Sequence, residues 1–193
     1  IKNNIRNGHT IVLESTSYPG TTQDIIIDKL KNKFTIGKDI FIGFSSERIN
    51  PGFNENYISE IPKVLSGSSK SCLKVIASYY SSAFKKIIKC ENIRVAEFSK
   101  LLENIYRSVN IGFINEMKLV ADKMKLDIFE IIKVASTKPF GYRPFHPGPG
   151  IGGHCIPIDP LYLNWKASKL GIRTDFINLS AKINIKVINF LIK

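Results

Sequence analysis

Apolar and polar positions alternate along the first ninety residues in short blocks. TIVLEST (10–16) runs Ile11, Val12, Leu13 into a polar end and predicts a buried strand. SYPGTT punctuates at Pro19–Gly20. Thr21 or Thr22 can then cap a helix through DIIIDKLKNK. DIFIGFSSE (39–47) predicts a second strand, residues 48–60 a loop, and KVLSG (63–67) a third strand. KSCLKVIASYYSSAF (70–84) has helical spacing, and KKIIKC (85–90) predicts another short strand. Strand, helix and strand in alternation predict parallel α/β architecture.

The pattern changes near residue 92. From 95 to 125 only Gly112 interrupts, and Phe98, Leu101, Leu102, Ile105, Val109 and Phe113 recur at three- and four-residue steps. That spacing predicts one long helix. Asp127 starts a shorter helix through IFEIIKVAST. A glycine–proline loop follows. A helix opened by Asp159 and Pro160 and closed by Gly171 comes next. Thr174 and Asp175 open a last helix. The second half is therefore expected to be all α. The chain begins and ends inside apparent helices and reads as the middle of a larger protein.

Composition narrows the classes. The 193 residues are 44% hydrophobic, enough for a real core. No stretch approaches the roughly 20 apolar residues of a membrane span, and no signal peptide opens the chain. Three cysteines without a framework point to a reducing compartment, and so to the cytoplasm. The net charge of +12 is spread over scattered lysines, with no nucleic-acid motif. Solvated helix faces account for most of it.

FHPGPGIGGHCIPIDP (145–160) is the richest segment in chemistry. Cys155 follows Gly152 and Gly153, which lack a Cβ to obstruct a bound molecule. Pro157 and Pro160 restrict the backbone behind it. Cys72 and Cys90 lie in apolar segments and read as small buried hydrophobes. Cys155 has loop-forming neighbours and reads as a nucleophile. His146, His154 and Cys155 fit no common zinc spacing, so no metal is expected. Lys100 and Asn104 are one helical turn apart and can clamp an oxygen that gains negative charge. Alone, such a pair is more often an exposed lysine and a helix-surface asparagine. Thr16 and Glu47 share C-terminal strand ends, where ligands of parallel sheets sit. Each also reads as a cap or a surface charge. Lys63 and Arg48 could meet phosphates but read first as solvated charge, and Glu97, Glu103 and Arg107 read as surface ion pairs or subunit contacts. Asp159 reads as an orienting group, an N-cap, or both.

The order EST-YPGT, FSSERINPG, AEFSKLLEN and FHPGPGIGGHCIPIDPLYLNWKA resembles the nucleotide-sugar 6-dehydrogenases, and its last block is similar to their UDP-N-acetylglucosamine branch. The resemblance implies the rear of a Rossmann-like NAD domain over 1–92. A 6-phosphogluconate-dehydrogenase-like helical domain over 93–193 would follow, forming a homodimer or higher oligomer through the 95–125 helix. It implies NAD as cofactor, a UDP-sugar as substrate, and a place in bacterial surface-polysaccharide synthesis. Among site residues it implies a Cys155 thiohemiacetal and thioester, with Lys100 and Asn104 stabilising oxyanions. Thr16, Glu47 and Asp159 would handle water and protons. Ser15, Thr16, Glu47 and Gly152 would hold NAD. Glu47, Arg48, Lys100, Asn104, Phe145, His146, Gly150, Gly152 and Gly153 would hold the sugar nucleotide. The family's glycine-rich turn and its C-terminal domain are not among these 193 residues. The stretch alone is therefore expected to be inactive. The rival readings are a single-step hydroxyacid-type dehydrogenase, which needs no thiol, and a non-catalytic remnant that associates through its helices.

Overall fold

The structure, a computed structural model, describes residues 2–48 and 59–192. The chain divides into two compact units, Ile1–Leu101 and Leu102–Lys193. Among the described residues no helix is long and apolar enough to cross a membrane.

The first unit is a four-stranded sheet in the order β1 (Thr10–Leu13), β2 (Phe41–Ser45), β3 (Lys63–Gly67) and β4 (Ile87–Cys90). β1 and β2 run parallel, as do β3 and β4. The fully parallel expectation fails at the centre, where β2 and β3 are antiparallel, pairing Gly43 with Gly67 and Ser45 with Leu65. An antiparallel pair needs no crossover helix, and the sequence between these strands carries no helical spacing. Residues 49–58 of the expected 48–60 loop, with the end of the FSSERINPG block, lie outside the described residues.

Alternation along the strands sends side chains to both faces. One face packs Ile40 and Ile42 with Ile27, Leu30 and Phe34. These come from or just after helix α1, which is π-helical over Thr22–Ile27 and α-helical over Asp28–Leu30. The other face packs Leu65 with Ile76 and Ala77 of α2 (Lys70–Tyr80). Ser69 caps α2 by accepting from the Cys72 amide.

Helix α3 (Ile93–Lys123) leaves the sheet with Ala96 packed on Phe44 and Val64. Only part of the apolar row that announces this helix lies on its buried face. Phe98, Leu102 and Phe113 are exposed, whereas Glu97, Leu101, Asn104, Ser108 and Asn115 are buried. Glu97 is therefore no surface charge. It is 2% exposed and caps α1. Its carboxylate accepts from the Gly20 amide, the Thr22 amide at 2.9 Å and the Thr22 hydroxyl at 2.7 Å. The threonines expected to cap α1 do not, and the Thr21 hydroxyl donates to the Tyr18 carbonyl instead.

In the second unit, α4 (Ile128–Ala135) starts at its expected cap. Asp127 accepts from the Phe129 amide at 2.8 Å. Ile114 and Ala121 of α3 pack on Ile128 and Ile132 of α4. Helix α5 spans Cys155–Ser168, four residues earlier than expected, and α6 spans Asp175–Leu191. Pro157 falls at the third helical position, where an amide would have no intrahelical partner, so it does not delay the helix. Pro160 does forfeit one helical bond. It and Asp159 are nonetheless buried, so tertiary packing holds the turn.

Two helices end in the same motif with different residues. After α5 the Ile172 amide reaches Ala167 O and the Gly171 amide reaches Ser168 O, with Gly171 at φ 73°. After α3 the Leu126 amide reaches Ala121 O and the Lys125 amide reaches Asp122 O, but Lys125 stands at φ 59°. A side chain there costs about 1 kcal/mol relative to glycine. Lys125→Gly is expected to raise unfolding free energy by about 1 kcal/mol in denaturant titration. No gain would mean that the Lys125 side chain offsets its backbone strain.

Candidate active site

Within the first unit, β1 and β2 run parallel and end at Leu13 and Ser45, so Ser15, Thr16, Glu47 and Arg48 all emerge beyond the same sheet edge. β3 runs the other way and therefore begins at that edge with Lys63. The expectation that Lys63 is solvated fails. It is 4% exposed, with Nζ 3.1 Å from Glu47 Oε2 and 3.4 Å from Glu14 Oε1. The ammonium also lies 5.2 Å from the Phe84 ring centre and 5.8 Å from that of Tyr80. A buried ammonium needs charge partners, and two carboxylates at the ends of two strands supply them.

The Tyr80 hydroxyl donates to Glu14 Oε1 at 2.7 Å. Burial first, and then that bond, push the Tyr80 phenol above its ordinary range, so it remains a donor. Arg48 is also tied down rather than solvated: Nη1 donates to Pro62 O at 3.1 Å, and its amide donates to Glu47 Oε1 at 2.6 Å. The Ser46 hydroxyl, 1% exposed, has no hydrogen-bond partner among the described residues. An unanswered buried hydroxyl at this edge suits a polar ligand such as a dinucleotide.

Lys100 is partly buried on α3, four residues before Asn104. Within the second unit, Asn104 and Asp159 come together, both buried, with Asn104 Nδ2 donating to Asp159 Oδ2. Asp159 is thus inside α5 and is not its cap. Cys155 is exposed and is the first residue of α5, not a loop residue.

The segment before Cys155 has two parts. Phe145 packs edge-on against Tyr106, with ring centres 5.8 Å apart, and the His146 ring lies 6.5 Å from that of Phe129. Gly150 has φ 102°, and a Cβ there would come within 2.9 Å of Ile188, so this part of the loop lies against α6. Gly152 and Gly153 face open space. The sequence reading missed Glu14, Tyr80, Asn115 and Asn184. For Asn115 a signal existed, a polar residue in step with Leu101, Asn104 and Ser108 on α3. For Glu14 and Tyr80 there was none.

Residues 94–186 match the central domain of the UDP-glucose/GDP-mannose dehydrogenase family, and residues 1–84 match that family's NAD binding domain. Protein CapL of Staphylococcus aureus is 38% identical over 184 residues, covering 94% of this chain and 43% of CapL. UDP-N-acetyl-D-glucosamine 6-dehydrogenase of Pseudomonas aeruginosa is 38% identical over 188 residues, covering 93% of this chain and 43% of that enzyme. Among solved structures, a UDP-D-ManNAc dehydrogenase from Pyrococcus horikoshii matches with a TM-score of 0.89 at 29% identity, covering 98% of this chain and 44% of that one. The chain therefore spans less than half the length of each of these three relatives.

Proposed function

This chain belongs to the UDP-glucose/GDP-mannose dehydrogenase family, and from that premise we propose that its protein oxidises the C6 alcohol of a UDP-sugar to the carboxylate with NAD. The sugar assigned is UDP-N-acetylglucosamine, in surface-polysaccharide synthesis, and the compartment is the cytoplasm. Residues 1–92 are assigned to NAD binding and 93–193 to the central domain. The observation that carries the reading is Cys155, exposed at the first residue of α5, four residues ahead of the buried Asp159–Asn104 pair.

Bound NAD would supply the hydride acceptor that both oxidations at C6 require. Ser15, Thr16, Glu47 and Gly152 are assigned to holding it. Glu47, Arg48, Lys100, Asn104, Phe145, His146, Gly150, Gly152 and Gly153 are assigned to the sugar nucleotide. Cys155 Sγ adds to the C6 aldehyde and forms a thiohemiacetal. Its oxidation leaves a thioester, and water cleaves the C–S bond to give the carboxylate and return the thiolate. Lys100 stabilises the oxygen charge in these states. Asn104 joins it with the second hydrogen on Nδ2, the first being on Asp159. Thr16, Glu47 and Asp159 hold the water and move its proton.

We assign the exposed α3 row of Val95, Phe98, Leu102, Tyr106, Phe113 and Val120 to contact with a second copy of the chain. Leu102→Asp with Phe113→Asp should convert a dimer to a monomer in sedimentation. A wild-type protein that is monomeric at all concentrations would contradict this.

The test of activity uses the full-length gene product with UDP-glucose, UDP-N-acetylglucosamine and UDP-N-acetylmannosamine in turn. Two NADH per sugar are expected, fastest with UDP-N-acetylglucosamine. Cys155→Ser should stop the reaction at the aldehyde level, and Asn104→Ala should lower kcat by about 10²–10³-fold. One NADH per substrate with Cys155→Ser unaffected would point to a single-step dehydrogenase instead. The 193-residue stretch alone, without the glycine-rich turn, should show no turnover.

A further inference from the structure

The loop ahead of Cys155 is anchored through two buried side-chain amides on helices that carry none of the assigned chemistry at those positions. Asn115 of α3 is fully buried, and its Oδ1 accepts from the Gly148 amide at 2.9 Å. Asn115 Nδ2 donates to Asn184 Oδ1 on α6 at 2.9 Å, and Asn184 Nδ2 donates to the Ser180 carbonyl at 2.9 Å. Backbone groups fix the direction of this relay at both ends. The Gly148 amide can only donate and the Ser180 carbonyl can only accept, so neither amide can flip without breaking two bonds. Two residues later, Gly150 rests against Ile188 and Asn184 of α6. On the far side of Cys155, Asp159 is tied to Asn104. The thiol thus lies on a span held at Gly148 and at Asp159, with Gly152 and Gly153 unconfined between.

We propose that Asn115 and Asn184 are positioning residues for Cys155. Together they form a relay that sets where the Gly148 end of the span lies, as the Asn104–Asp159 pair sets the other end. The inference rests on the nucleophile reading of Cys155. A misplaced thiol fails chiefly at capturing the aldehyde, since the first oxidation does not use sulfur. The mark of such a defect is aldehyde escape, and it differs from a loss of folded enzyme.

The experiment measures NADH per sugar in the full-length gene product, with hydroxylamine present to trap released aldehyde, and amide exchange at Gly148. Asn115→Ala is expected to lower the ratio from two toward one and to speed Gly148 exchange roughly tenfold, the effect of one lost hydrogen bond. Asn184→Ala keeps the Gly148 bond but frees the other end of the relay. It should show the same shift in weaker form, and it serves as the test if Asn115→Ala does not fold. Ser180→Ala, equally buried but contributing only its backbone carbonyl to the relay, should keep a ratio of two. A ratio of two in both asparagine variants, with Cys155→Ser held at one, would overturn the inference and leave the nucleophile reading intact. A Cys155→Ser protein that still reaches two would instead remove the reading on which it rests.

Discussion

A single buried carboxylate organises the first unit. Glu97 stands on α3 one turn before Lys100, and it takes two amides and a hydroxyl from the start of α1. A helix N-terminus concentrates unpaired donors and positive potential, and an ionised carboxylate answers both. The segment that ends in this cap is the one that leaves β1 and carries Ser15 and Thr16. The same side chain therefore fixes the path of that segment and the entry of the helix that bears Lys100. Without it, α1 would begin on bare donors and the first turns of α3 would rest on Ala96 and Ile93 alone.

The polar seam continues along α3. Glu97, Asn104, Ser108 and Asn115 are all buried, and the first, second and last make long-range hydrogen bonds. A buried polar face is costly unless every group finds a partner, but once satisfied it admits one arrangement where an apolar face would admit several. At the sheet edge Lys63 plays a comparable part, drawing Glu14 and Glu47 from two strands toward a third. Charge placement at this edge depends on strand direction. Because β3 opposes β2, its first residue and not its last meets the ends of β1 and β2.

Strand positions were legible because short apolar runs between turn residues leave little choice; KVLSG is β3 to the residue. The Asp127 cap and the Gly171 stop were legible for local reasons of the same kind. What escaped depends on partners distant in sequence. The antiparallel β2–β3 pair, the burial of Lys63 and the capping by Glu97, which acts across 75 residues, leave no periodic trace. Helix α5 passing through Pro160 was hidden because proline is read as a boundary, whereas here Asp159 and Pro160 are held by packing. Asn104 and Asp159 were each visible as chemistry, but their mutual bond was not.

The most direct measurement is amide exchange at Gly20 and Thr22 in Glu97→Ala, read beside its unfolding free energy. If the carboxylate organises the unit, both amides lose protection ahead of the strand amides, and stability falls by about 3 kcal/mol, the scale of losing several charge-assisted bonds. Unchanged protection at Gly20 and Thr22, with stability within about 0.5 kcal/mol of wild type, would show that α1 and the start of α3 hold their places without it.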